Sequence, residues 1–228
     1  MFQQLPGAVV ACLASVANRL EIKVTVLENL RRSPAAVVKT NGLRSQPAGN
    51  SFSGTQVGGR CNLTEDASGN MSTITATENS GTDFFYPWLQ RSYGWVKVPK
   101  MVHDGVIVAT GGLNGCSLIV SEKGGDLYFY HDGDSKYLPS GSAAIEGNEI
   151  VRIKPKDYDA GDVVHKSFVA TLGSYSTRNL PVPSGDVSYG IYVYWVKVSG
   201  DFVAVSSSVV SVGTPIALPG IELTRFTP

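Results

Sequence analysis

From Tyr93 to Val212 the sequence is a succession of short runs rich in Val, Ile, Tyr and Phe, each cut off by Gly, Pro, Asp or Ser. β-Branched and aromatic side chains suit a pleated surface and the intervening residues suit turns, so such a chain folds into sheets. The runs are Tyr93 to Val98, Gly105 to Ala109, Cys116 to Val120, Asp126 to His131, Glu149 to Ile153, Ser167 to Leu172, Tyr189 to Val198 and Phe202 to Val212. The last two, joined by Ser199-Gly200-Asp201, read as a hairpin. Neither an internal repeat nor a sharp shift of composition divides the 228 residues. The expectation is one domain over 1–228 of the α+β class, a β-rich sandwich of two mixed sheets with peripheral helices and long loops.

The N-terminal part reads differently. Val9, Leu13, Val16 and Leu20 recur at helical spacing after Pro6, which suits a first helical turn. Met1-Phe2-Gln3-Gln4 lacks the positive charge of a signal peptide, so a helix is expected there rather than a leader. Leu20 to Leu27 alternates as a half-buried strand does. A short helix is expected through Glu28 to Arg32, or restarting at Pro34 through Lys39. From Thr40 to Thr82 small polar residues dominate, which predicts long loops with one short strand at Met71 to Thr75.

Composition narrows the function. Apolar residues make up 43% and charged residues 17%, enough for a sizeable core and too apolar for a disordered chain. Nineteen basic and nineteen acidic residues cancel, which disfavours general nucleic-acid binding or a polybasic membrane adsorber. No apolar run is long enough for a spanning helix. The three cysteines, Cys12, Cys61 and Cys116, are too few and scattered for a disulfide framework or a zinc site. Cys12 reads as a buried structural thiol. His103 and His165 have no partner at ligand spacing, so a metal site is not expected.

One segment carries chemistry. Two apolar runs, Cys116 to Val120 and Asp126 to His131, flank Lys123-Gly124-Gly125 and predict a hairpin. A two-residue loop centred on Lys123-Gly124 sets Ser121 opposite Asp126, Leu118 opposite Phe129 and Cys116 opposite His131. Residues directly opposite have Cβ atoms about 4.5–5.5 Å apart on one face. A slip of two would keep the thiol and the imidazole on that face. A neighbouring imidazolium can lower a thiol's pKa and make it a nucleophile at neutral pH. Gly111, Gly112 and Gly115 before the cysteine allow a sharp turn with exposed N–H groups, which an oxyanion needs. The plainer alternative is a small core cysteine at a strand start and a rim histidine at a strand end.

Thr-x5-Cys with a downstream His, here Thr110, Cys116 and His131 with Leu113 and Gly115, resembles the bacterial protein glutamine deamidases. These are the family of cytotoxic necrotizing factor and Burkholderia lethal factor. Asn114 stands where that family usually carries Ser, and it too is polar and can donate an amide N–H. The resemblance implies two packed mixed sheets and hydrolysis of a glutamine amide in a target protein through a Cys116 thioester. His131 would be the acid and base, and Thr110 would accept a hydrogen bond from it. The Cys116 N–H, aided by Asn114 and Gly115, would hold the oxyanion. It also implies a monomeric bacterial effector, secreted or injected, acting in the cytosol of a target cell on a host protein and needing neither metal nor organic cofactor. Transglutamination, a Cys–His protease and a non-enzymatic β-sandwich binding module are the alternatives.

Other residues have two readings each. Phe84, Phe85, Tyr86, Trp88, Tyr93 and Trp95 are core packing or a substrate-docking wall. Tyr189, Tyr192, Tyr194 and Trp195 read as packing. Asp132 and Asp134 are turn residues, or carboxylates that raise the pKa of His131. Asp104 reads as a turn. The Gly173–Gly185 loop, with Arg178, and the Asn41–Gly81 region are candidate cleft edges.

Overall fold

The computed structural model describes residues 24–159, 162–181 and 187–228. The helix from Pro6, Cys12 and the start of the strand expected at Leu20 lie outside the described residues. Two short helices come first. Helix α1 (Val26–Arg32) is capped by the Thr25 hydroxyl, which accepts from the Glu28 N–H at 3.1 Å, with Arg31 and Arg32 at its C-terminal end. Helix α2 (Pro34–Thr40) begins with proline in its first turn. Val26 and Leu27, expected in a strand, therefore open a helix, because the Thr25 cap and the apolar residues Leu27 and Leu30 define one buried helical face.

The region expected to be long loops with one strand at Met71 to Thr75 forms three strands, β1 (Gly42–Pro47), β2 (Gly59–Ser68) and β3 (Met71–Glu78), the last containing the expected one. Their small side chains conceal a strand alternation, with Cys61 and Leu63 buried from β2 and Ile74 and Ala76 from β3. Strands β4 (Asp83–Tyr86) and β6 (Ile107–Thr110) continue that sheet, with β10 (Val187–Val198), β11 (Asp201–Val212), β12 (Thr214–Leu218) and β13 (Glu222–Phe226). Its order is β1-β3-β2-β4-β6-β10-β11-β12, with β13 also paired to β11. The β1/β3 and β4/β6 pairs are parallel and the others antiparallel, so this sheet is mixed.

The second sheet takes β5 (Tyr93–Pro99), β7 (Ser117–Lys123), β8 (Asp126–Asp132) and β9 (Asn148–Ile153), ordered β5-β8-β7-β9. It is antiparallel throughout, where a mixed sheet is expected, because β7 and β8 form a tight hairpin and β5 and β9 flank it in the opposite sense. Helices α3 (Pro155–Tyr158) and α4 (Val163–Thr177) follow. The strand expected at Ser167 to Leu172 lies inside α4. Val164, Phe168, Leu172 and Tyr175 recur at helical spacing and pack against the core between the sheets.

That core joins Tyr86, Val108, Val193, Trp195 and Phe202 of the large sheet to Val96, Leu118, Val120 and Phe129 of the small one. The other face of the large sheet packs Leu30, Val38, Leu43, Phe85, Tyr194 and Val205 together. Tyr189, Tyr192, Tyr194 and Trp195 thus serve packing, as expected. Asp104 accepts from the Ser199 and Gly200 N–H groups and ties down the β10–β11 turn.

Asp83, 2% exposed, accepts from both Arg31 guanidinium Nη atoms at 2.7 Å and from the Ile107 N–H at 2.9 Å. This clamp fixes α1 to the β4–β6 centre of the large sheet. Removing one partner of a buried pair strands the other charge. Arg31→Ala should lower the unfolding free energy by about 3 kcal/mol, read from urea denaturation, and Asp83→Asn should cost less.

Candidate active site

Thr110 ends β6 in the large sheet, and His131 stands near the end of β8 in the small one. Thr110 Oγ1 lies 2.8 Å from His131 Nδ1, so one hydrogen bond joins the two sheets. The Thr110 hydroxyl also donates to the Tyr86 carbonyl at 2.8 Å. A hydroxyl has one proton, so toward the ring it accepts. The ring proton therefore sits on Nδ1, and Nε2 carries a free lone pair. That Nε2 atom is buried and has no hydrogen-bond partner. Ser45 donates to the Thr110 carbonyl and fixes the end of β6 from the far edge of the sheet.

The hairpin register is two residues from the expected one. Lys123 pairs with Asp126 and Leu118 pairs with His131, so the loop is Gly124-Gly125 rather than Lys123-Gly124. Gly124 has φ +65°, a left-handed backbone that a lysine adopts at a cost, and this moves the turn one residue on. Cys116 lies two residues before Leu118 and shares its face of the sheet. It is a diagonal neighbour of His131, at about 7–8 Å between Cα atoms in such pairs and within reach of an imidazole.

Cys116 is 2% exposed, and its loop is held at four points. Leu113 exchanges backbone hydrogen bonds with Ile191 of β10 at 2.6 and 3.3 Å. The Tyr158 hydroxyl of α3 donates to the Cys116 carbonyl at 2.7 Å. Ser135 donates to the Gly115 carbonyl at 2.9 Å and receives the Ser117 hydroxyl proton at 2.7 Å. Gly115 has φ +86°, so a side chain there would be strained. Asp134 and Ser135, with φ +54° and +58°, turn the chain after β8 back over the cysteine.

Burial pushes the Cys116 thiol up, opposed by the main-chain N–H groups of Asp134 and Asn114 and by the Trp88 indole, while the Asp134 carboxylate adds to the rise. Asn114 thus supports the sulfur through its main chain. Its side-chain oxygen instead accepts from the Tyr189 hydroxyl at 3.4 Å. Burial alone holds His131 down to about 3. Both shifts favour neutral forms, so the resting pair is a thiol beside an imidazole, not the ion pair the sequence suggests. Asp132 and Asp134 do not raise the His131 pKa; an Asp132 oxygen instead accepts from the Tyr137 N–H at 2.8 Å. By contrast Cys61, buried beside Asp83, is pushed up to about 12 by burial and then by that carboxylate. It is a core thiol.

Three clefts meet around the 111–117 loop. One of about 350 Å³ runs between the 47–54 turn, Trp88, Gly111 and Gly112. One of about 480 Å³ lies beside Asn114, Asp159, His165 and Tyr189. One of about 490 Å³ lies beside Gly115, Asp134 and Arg152. Residues 47–54 of the Asn41–Gly81 region border the first of these clefts, while most of that region is sheet rather than loop. Of the expected aromatic group, Phe84, Phe85 and Tyr86 are buried and Trp88 alone stands 49% exposed at the cysteine loop. Tyr158 was not singled out in the sequence; a lone tyrosine 42 residues beyond the cysteine carries no spacing signal. Among the described residues no cluster of His, Cys, Asp or Glu could hold a metal ion. No described helix is long and apolar enough to cross a membrane.

The buried neutral ring links pH to stability. Unfolded, the ring titrates near 6.5, and folded near 3, so the unfolded chain binds more protons between those values. Its contribution is complete above about pH 6.5 and shrinks as pH falls toward 3. Replacing His131 by Gln should flatten the acid limb of stability by up to about 1.4 kcal/mol per pH unit, measured by urea denaturation from pH 7 to pH 4.

No protein-family model matches this chain. No curated protein matches it either. Among solved structures it is similar to the C-terminal domain of CNFy from Yersinia pseudotuberculosis, at 14% identity with a TM-score of 0.29. The similarity covers 63% of this chain and 62% of that one, less than two thirds of the neighbour's length.

Proposed function

We propose that this chain is a cysteine amidohydrolase that converts a glutamine side chain of a target protein to glutamate. The observation that carries the reading is the buried His131 ring: Nδ1 is committed to Thr110, and Nε2 is free on the face of the sheet that Cys116 shares. A core histidine with no chemical role normally has both nitrogens satisfied. The likeness of Thr110, Cys116 and His131 to the pattern of bacterial glutamine deamidases supports the side-chain amide as the bond attacked.

The reaction begins from the neutral pair. As the sulfur attacks the glutamine Cδ, the thiol proton moves to His131 Nε2 and the carbonyl oxygen becomes an oxyanion. The Cys116 N–H and its neighbours in the 111–116 loop would receive that charge. Nε2 then returns its proton to the amide nitrogen, the C–N bond breaks and ammonia leaves. Water gives a proton to Nε2 as its oxygen attacks the thioester. The C–S bond breaks, the proton returns to sulfur and glutamate is released. Thr110, with its own proton committed to the Tyr86 carbonyl, keeps the ring proton on Nδ1 and the ring in one orientation throughout, the third-group role of a triad.

The chain should be incubated with a cell extract and the substrates sought by mass spectrometry, with Cys116→Ala as both control and trap. Glutamine-to-glutamate conversion by the parent chain alone is the expected result. Peptide fragments or an added amine would replace the reading with proteolysis or transfer, and conversion by Cys116→Ala would end it. Thr110→Val removes the acceptor for Nδ1–H and should lower kcat by roughly 10²-fold with little change in KM, measured by ammonia release.

A further inference from the structure

Side-chain hydroxyls hold both of the peptide planes that meet at Cys116. On one side the Ser135 hydroxyl donates to the Gly115 carbonyl at 2.9 Å. A carbonyl can only accept, so the Ser135 proton is spent there, and the buried Ser117 hydroxyl donates to Ser135 at 2.7 Å. On the other side the Tyr158 hydroxyl donates to the Cys116 carbonyl at 2.7 Å. Tyr158 is buried at the end of α3, whose start is tied by the Lys154 N–H donating to the Asp157 side chain at 2.8 Å.

The Gly115 carbonyl and the Cys116 N–H belong to one planar peptide. In a trans peptide the two point in opposite directions, so a donor that fixes the carbonyl also fixes the N–H. Such a donor matters after Gly115, which has φ +86° and no side chain to restrict the plane. A hydrogen bond into the carbonyl also polarises the amide and makes its N–H a stronger donor. Ser135 reaches that carbonyl from a backbone at φ +58°, directly after Asp134 at φ +54°. Two successive left-handed residues without glycine are costly, and such strain persists only where the surrounding structure enforces it.

We propose that Ser135 is a positioning residue for the oxyanion: its hydroxyl, backed by Ser117, aims the Cys116 N–H at the carbonyl oxygen of the substrate. This rests on Cys116 being the nucleophile. Tyr158 sets the second plane and, with it, the direction of the Cα–Cβ bond that carries the sulfur.

The test sets two reagents against each other in the full chain, with each cysteine followed by peptide mass spectrometry. With para-nitrophenyl acetate the sulfur attacks the carbonyl carbon, the thiol proton passes to His131 Nε2 and an oxyanion forms. Its collapse breaks the C–O bond, nitrophenolate leaves and the acetyl group stays on sulfur. With iodoacetamide the sulfur displaces iodide from a methylene carbon and no oxyanion forms. Ser135→Ala should slow acetylation of Cys116 by about tenfold or more, while its alkylation rate stays within about twofold and the pH midpoint of alkylation does not move. Ser135→Gly loses the same hydroxyl but suits the left-handed backbone, and it should show the same loss. An unchanged acetylation rate in Ser135→Ala, an equal fall in both reactions, or recovery in Ser135→Gly each overturns the proposal. Acetylation of Cys116 no faster than that of Cys61 in the parent chain would overturn the nucleophile, and with it both this proposal and the proposed function. The expected pattern in a chain that converts no glutamine would uphold Ser135 and refute deamidation alone.

Discussion

The hydrogen bond between Thr110 and His131 is the contact on which the site depends. It spans two sheets whose strands pair with no shared edge, so its length reports how the sandwich halves are seated. The apolar core between them gives area but little direction. A polar contact buried in that core has a defined angle and partner, and leaving it unmade would cost more than making it gains. The packing of Tyr86, Phe129 and Trp195 next to it holds the two strands at the distance the bond needs. Folding and ring orientation are consequently the same event here.

Burial also decides how a cysteine can be used. A thiolate–imidazolium pair needs solvent or donors to sustain two charges, and this site withholds the first and supplies the second only on the sulfur side. The protein therefore stores neither charge at rest. On the proposed reaction, the charges would arise only while substrate occupies the cleft, its own carbonyl taking part of the developing negative charge. Such a site is protected from adventitious oxidation and alkylation, which act on exposed thiolates. Cys61 is as deeply buried, but its neighbour is the Asp83 carboxylate, which pushes the thiol further up, and among the described residues no imidazole stands beside it.

Much of this was legible in the residues. Strands β5 to β9 and the β10–β11 hairpin follow from dense Val, Ile, Tyr and Phe runs, and the Cys116 and His131 faces follow from the period of two. The exact pairing did not, because choosing between Lys123-Gly124 and Gly124-Gly125 depends on which residue takes a positive φ. Strands β1 and β2, and the end of β3 beyond Thr75, escaped because their Ser, Thr and Gly offer small side chains, which composition cannot tell from loop. Helix α4 was mistaken for a strand since a short window through Phe168 and Leu172 fits both periods; the four-residue spacing back to Val164 distinguishes them. The N–H groups of Asn114 and Asp134 are invisible in any sequence, as every residue but proline owns one.

The tight β7–β8 turn has a consequence for chain-length variation. Side chains alternate strictly along a strand, so one residue added within β8 between the turn and His131 would carry the imidazole through the sheet to its outer surface, while two would leave it inside but displaced along the ladder. The run from turn to ring is thereby fixed in parity. Grafts, tags and natural insertions should be far better tolerated in the connections that bear on no shared ladder.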